Sequence, residues 1–119
     1  MTVAGHRHER IAGEMQQEIS AMLAGDLKDP RVASVLTVVT EVRVSPDLKQ
    51  ARVYVNVAGN EAEQAAALAG MTAASGFIRH ELAERLQLRR TPDLHFVLDR
   101  SEEYGRRIDD LLRQTRDPG

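Results

Sequence analysis

The chain has 119 residues and no cysteine, which fits one domain and excludes disulfides, thiolate zinc sites and thiol catalysis. A net charge of −2 and a pI near 6.1 argue mildly against a nucleic-acid binder, which more often carries a net basic domain. Yet every positive side chain except Lys28 and Lys49 is arginine, so local patches that fork onto phosphate are available, although genomic bias also yields arginine.

Hydrophobic residues make up 42% of the chain. Tyr54, Phe77, Phe96 and Tyr104 are its only aromatics, so the core has to be aliphatic. No run approaches the roughly 20 apolar residues of a bilayer span, and "MTVAGHRHER" lacks the apolar stretch of a secretory signal. The expectation is a soluble, cytoplasmic protein without a membrane partner.

The first helix is predicted over 7–24, with Ile11, Met15, Ile19, Met22 and Leu23 as its apolar stripe and Gly25 ending it. Arg7, Arg10, Glu14 and Gln17 lie on a wetter face. "DLKDPRVASV" reads as a loop around Asp29-Pro30. Residues 35–44 are rich in β-branched side chains, with Leu36, Val38, Val42 and Val44 expected inward and Glu41 and Arg43 outward. "SPDLK" is a turn. Residues 50–57 alternate, with Ala51, Val53, Val55 and Val57 inward and Arg52, Tyr54 and Asn56 outward, giving an antiparallel hairpin with one covered face.

Asn60 and Glu63 have the spacing of a capping box at the head of an alanine-rich helix. That helix runs into Ala74-Ser75-Gly76, beyond which a second helix reaches about Gln87, with Ile78, Leu82 and Leu86 on one face. Residues 93–99 form a third strand with Leu94, Phe96 and Leu98 inward. A last helix capped by Ser101 carries Tyr104, Ile108, Leu111 and Leu112. The predicted fold is one α+β domain over 1–113, with 114–119 a disordered tail. Its order is α-β-β-α-kink-α-β plus a C-terminal helix. A helical crossover between Val57 and Leu94 makes the third strand parallel to the second, so the sheet is three-stranded and mixed, with helices on one face.

That order resembles a type II KH domain. KH domains clamp nucleic-acid backbone with a GXXG loop between two helices, which this chain lacks; Ala74-Ser75-Gly76 stands at the matching junction. This departure, with "RHERIAGEMQQEIS", "LTVVTEVRVSPDLKQARVYVNV" and "SGFIRHELAERLQLRRTPDLHFVLDRS", resembles the ribosome-binding factor A family. The KH-like domain of that family bends a helix pair at an Ala-X-Gly element. The resemblance runs from about Arg7 to Leu112. It implies a cytoplasmic bacterial assembly factor that binds the free small ribosomal subunit and its rRNA during late maturation, including 5′-end processing. It also implies an association with growth in the cold, contacts near the 5′-end helix and the decoding region, and an assembly GTPase as a possible partner in release. The expected state is a monomer without cofactor or metal, and without enzymatic activity.

The expected RNA contact is the bend. Gly76 permits a sharp turn and a close backbone approach, and Ala74 and Ser75 keep it slim. The helix that follows turns its N–H groups and positive dipole end outward, as at phosphate sites, with Arg79 in its first turn. Arg7, Arg10, Arg89 and Arg90 are expected to add phosphate contacts. The competing readings are a packing corner at Gly76, a solvated helix end at Arg89-Arg90 and a solvated terminus at Arg7. His6 and His8 lack a third ligand for a metal, and no nucleophile or glycine-rich phosphate loop is visible. An alternative function is a dimerising protein-interaction module without RNA affinity.

Overall fold

The computed structural model describes residues 7–100, in which three strands and four α-helices are arranged as an α+β fold. α1 (Arg7–Ala21) buries Ile11, Ala12, Met15 and Ile19. It does not end at Gly25 as expected: a π-helical turn (Met22–Asp26) follows and buries Met22 and Leu23, so the apolar stripe continues while the helix widens. The segment read as a loop contains a short helix, α2 (Pro30–Ala33). Asp29 caps it by accepting the Arg31 N–H at 2.9 Å, and Pro30 sits in the first turn, where its missing N–H costs nothing. The C-terminal helix expected over Ser101, Tyr104, Ile108, Leu111 and Leu112 lies outside the described residues, as does His6.

β1 (Thr37–Val44), β2 (Gln50–Val57) and β3 (Asp93–Leu98) form one sheet in the order β1-β2-β3. β1 pairs antiparallel and β3 parallel to β2. Ala51, Val53, Val55 and Val57 are buried beneath the helices, while the opposite face shows Arg52, Glu41, Arg43 and His95 to solvent. β1 departs from the predicted alternation. Its register slips between Val39 and Glu41, so Thr40 is an extra residue, and a β-bulge re-phases the strand. Val39 therefore points inward with Val42 and Val44, whereas Leu36 and Val38, expected inside, are 70% and 50% exposed. The Gln16 amide of α1 donates to the Val39 and Thr40 carbonyls at 3.3 and 3.4 Å, tying the helix to the bulge.

α3 (Glu61–Ala73) starts at the predicted capping box. The Glu63 N–H donates to Asn60 Oδ1 at 2.8 Å, and the Asn60 N–H donates to Glu63 Oε1 at 2.9 Å. α4 (Ser75–Leu86) follows after the single residue Ala74, at φ −88° and ψ 2°. The bend therefore falls on Ala74, and Gly76 is inside the first turn of α4. Gly76 does not have the positive φ that a bend on the glycine would require; among the described glycines that region is taken by Gly59 alone. Nor does another backbone approach it, since a Cβ at Gly76 would meet nothing within 4 Å. Close packing instead occurs one helix earlier: a Cβ at Gly70 would stand 2.8 Å from Val32 Cγ2, so α2 rests on α3 where a side chain is missing. Arg85 fastens the far end of α4 through Asp26 (2.9 Å), Glu81 (3.2 Å) and Glu18 (3.3 Å).

Candidate nucleic-acid interface

The sequence-predicted residues fall at the two ends of α4, a helix about 18 Å long at a 1.5 Å rise per residue. Ala74, Ser75 and Gly76 lie at its N-terminus. The first bond of its ladder runs from the Ile78 N–H to the Ala74 carbonyl at 2.9 Å, and no side chain caps that end. Beside it Phe77 is 46% exposed. The sequence pattern points to Tyr54 alone as an outward aromatic, but the Tyr54 ring carries the Arg43 guanidinium 5.7 Å from its centroid. Among the described residues, Phe77 is an aromatic ring open to solvent.

Arg79 is not a free phosphate arm. Its guanidinium donates to the Thr91 carbonyl at 2.9 Å and the Pro92 carbonyl at 3.1 Å, and Asp93 stands 3.5 Å away. It ties α4 to the segment 88–92 entering β3. Replacing Arg79 therefore removes bonds that hold this segment against α4.

At the other end, α4 closes on Gln87 in the left-handed region (φ 56°, ψ 43°), with the Leu88 N–H returning to the Ala83 carbonyl at 3.1 Å. The chain then passes Arg89 and Arg90 along a cleft of about 380 Å³, which Arg7, Ile11, Asp47, Leu48, Leu88 and Pro92 also line. Arg7, Arg89 and Arg90, distant in sequence, thus meet at one place. Arg10 lies one turn beyond Arg7 and is exposed. Among the described residues none of these four arginines makes an ion pair or hydrogen bond, whereas Arg31, Arg43, Arg79 and Arg85 all do. Such cations have no ion pair among the described residues to break before they meet phosphate.

Asp47 supplies the opposing charge in the cleft. Its Oδ1 accepts from the Ser45 hydroxyl at 2.6 Å and from the Lys49 N–H at 3.0 Å. The Ser45 hydroxyl, then the Lys49 amide, hold its carboxyl below the ordinary value. Leu48 beside it has φ 62°. Neither Leu48 nor Gln87 stands out in the sequence, because left-handed positions are normally betrayed by glycine or asparagine. Among the described residues no group of His, Cys, Asp and Glu is arranged to hold a metal, and no helix is long and apolar enough to cross a membrane.

Residues 7–112 match the family model for ribosome-binding factor A. The ribosome-binding factor A of Acetivibrio thermocellus is 48% identical over 109 residues, covering 92% of this chain and 88% of that protein. The corresponding protein of Anaeromyxobacter dehalogenans is 46% identical over 114 residues, covering 96% and 82%. Among solved structures, the crystal structure of ribosome-binding factor A from Thermus thermophilus superposes with a TM-score of 0.69 at 28% identity, over 79% of this chain and 97% of that one. A homology model of the Thermus thermophilus ribosome-binding factor A, fitted into the cryo-EM map of a 30S–RbfA complex, gives a TM-score of 0.62 at 29% identity, over 75% and 91%.

Proposed function

Because the chain belongs to the ribosome-binding factor A family, we propose that it is a non-catalytic assembly factor that binds the free small ribosomal subunit in the cytoplasm. It assists late maturation of small-subunit rRNA, including processing of the 5′ end, and supports growth in the cold. It acts as a monomer, leaves before translation, and is released with the help of an assembly GTPase. The observation that carries the RNA-binding part is the set of arginines at one end of the molecule, Arg7, Arg10, Arg89 and Arg90, without partners among the described residues in a chain of net charge −2. Phosphate contacts of this kind give affinity and orientation without reading sequence.

The uncapped start of α4, with Ala74, Ser75 and Gly76, forms the second contact. The open space around Gly76 lets rRNA come against the helix, and Phe77 presents a ring on which a base can stack. Arg79 serves by holding segment 88–92 in place, so that Arg89 and Arg90 face one way. The exposed Leu36 and Val38 favour the dimerising module as the second reading. Depletion in the source bacterium separates the two. Loss of the protein should cause small-subunit rRNA with an unprocessed 5′ end to accumulate. Wild type should clear it, and the Arg89→Gln/Arg90→Gln pair should not. Normal processing without the protein would refute the assembly role.

A further inference from the structure

We propose that the cleft between α1, the β1–β2 turn and segment 88–92 receives a single unpaired RNA nucleotide, its phosphates on Arg7, Arg89 and Arg90 and its base against Ile11, Leu48 and Leu88. This rests on the RNA-binding reading above and specifies what one part of the surface recognises. The cleft, at about 380 Å³, falls toward the small end of ligand sites, which run from roughly 300 to 1,000 Å³. Its lining has two characters. The rim is cationic and the guanidiniums are without partners among the described residues. The floor is aliphatic, with Ile11 7% exposed and Pro92 buried. Phosphate alone has no use for an aliphatic floor, and an apolar ligand has no use for three guanidiniums. An unpaired nucleotide presents both an anionic backbone and a flat face of low polarity.

Asp47 adds a third element. Its Oδ1 is engaged by Ser45 and Lys49, and that anchoring fixes the carboxylate at the cleft wall. Its Oδ2 accepts no side-chain or backbone hydrogen among these contacts, and suits the exocyclic amine of cytosine or guanine, as carboxylates do when they read base edges. The walls are held rigidly. Leu48 and Gln87 are the non-glycine residues with positive φ among those described, and both line this cleft. Backbone held in sparsely populated regions gathers at ligand sites when the surrounding structure enforces it. The enforcement is visible here: the Leu48 N–H donates to the Ser45 carbonyl at 2.8 Å, the Leu88 N–H to the Ala83 carbonyl at 3.1 Å, and Arg79 clamps the Thr91 and Pro92 carbonyls.

The test uses the isotope-labelled full chain and three RNAs: a single-stranded tricytidylate, the same trimer abasic at all three positions, and a stable hairpin duplex compared at equal phosphate concentration. The intact trimer should shift the amide signals of Ile11, Leu48 and Leu88 saturably. The abasic trimer and the duplex should each bind about tenfold more weakly, and Asp47→Asn should narrow the gap between intact and abasic RNA. Equal affinity of intact and abasic trimers, or shifts confined to residues around Ser75 and Gly76, would overturn the proposal. The comparisons of intact with abasic RNA and of intact RNA with duplex use the unaltered chain, so misfolding does not enter them. Sedimentation of the same protein with small subunits keeps the two readings apart. Subunit binding with equal trimer affinities defeats the nucleotide cleft alone, whereas failure to bind subunits defeats the RNA-binding reading on which it rests.

Discussion

Gly70 and Gly76 lie six positions apart on successive helices, and alanine at the two should act in opposite directions. Gly76 is helical, has no positive φ, and has nothing within 4 Å of a built Cβ. Alanine there reduces unfolded-state freedom and gains helix propensity, about 0.5–1 kcal/mol. In a chain of this size that should raise the Tm by roughly 2–5 °C. At Gly70 the same propensity gain is opposed by a Cβ 2.8 Å from Val32 Cγ2 and 3.3 Å from Arg31 Cβ. Val32 is 1% exposed and, being β-branched, has few rotamers by which to move aside. Overpacking of this kind costs roughly 1–3 kcal/mol, so Gly70→Ala should lower the Tm by several degrees. The assay is calorimetry on both variants beside wild type, with small-subunit affinity measured on the same samples. If rRNA comes against the first turn of α4, Gly76→Ala loses affinity while gaining stability. A fall in Tm for Gly76→Ala would refute the account of the bend, returning it to the glycine from Ala74.

Arg79→Glu should destabilise by about 1–2 kcal/mol, because it withdraws charge-assisted donors from the Thr91 and Pro92 carbonyls, and urea unfolding measures it; Arg79→Lys should lose less. Arg89→Gln and Arg90→Gln should each leave the Tm within about 1 °C, weaken RNA binding, and make the slope of log affinity against log salt shallower by about one contact. The carboxyls of Asp29 and Asp47 are held below their ordinary value of 3.8, by Arg31 and by Ser45 respectively. Their folded pKa values are depressed, so their contribution to stability is present above that ordinary value and is lost as pH falls through the lower folded one. Asp47→Asn should therefore flatten the acid limb of a Tm-against-pH curve and leave the neutral region nearly parallel to wild type.

Much of the fold is legible in the sequence because its signals are local. The Asn60/Glu63 box, the β2 alternation and the α1 stripe each need only nearby residues. β1 is misread because "TVVT" offers Val38 and Val39 alike to the core, and only the pairing with β2 inserts Thr40 and selects Val39. The sequence points to Gly76 for the kink because glycine is the residue expected to tolerate a bend, whereas Ala74 bends within ordinary right-handed space. Of the candidate interface, the sequence names the arginines but does not distinguish a clamp from a free cation. Arg79 and Arg89 look alike until the carbonyls of Thr91 and Pro92 are seen beneath the first. The cleft is not legible because its walls come from residues about 40 positions apart, and its left-handed backbones are a leucine and a glutamine.

The central claim is that this chain recognises the unfinished or free small subunit through phosphate contacts at the two ends of α4. The measurement that meets it most directly is sedimentation of the full chain with purified small subunits and with complete ribosomes, repeated at rising salt. The account predicts association with free small subunits, little with complete ribosomes, and a steep loss of the complex as salt rises. No association with small subunits, equal association with both particles, or binding indifferent to salt would contradict it.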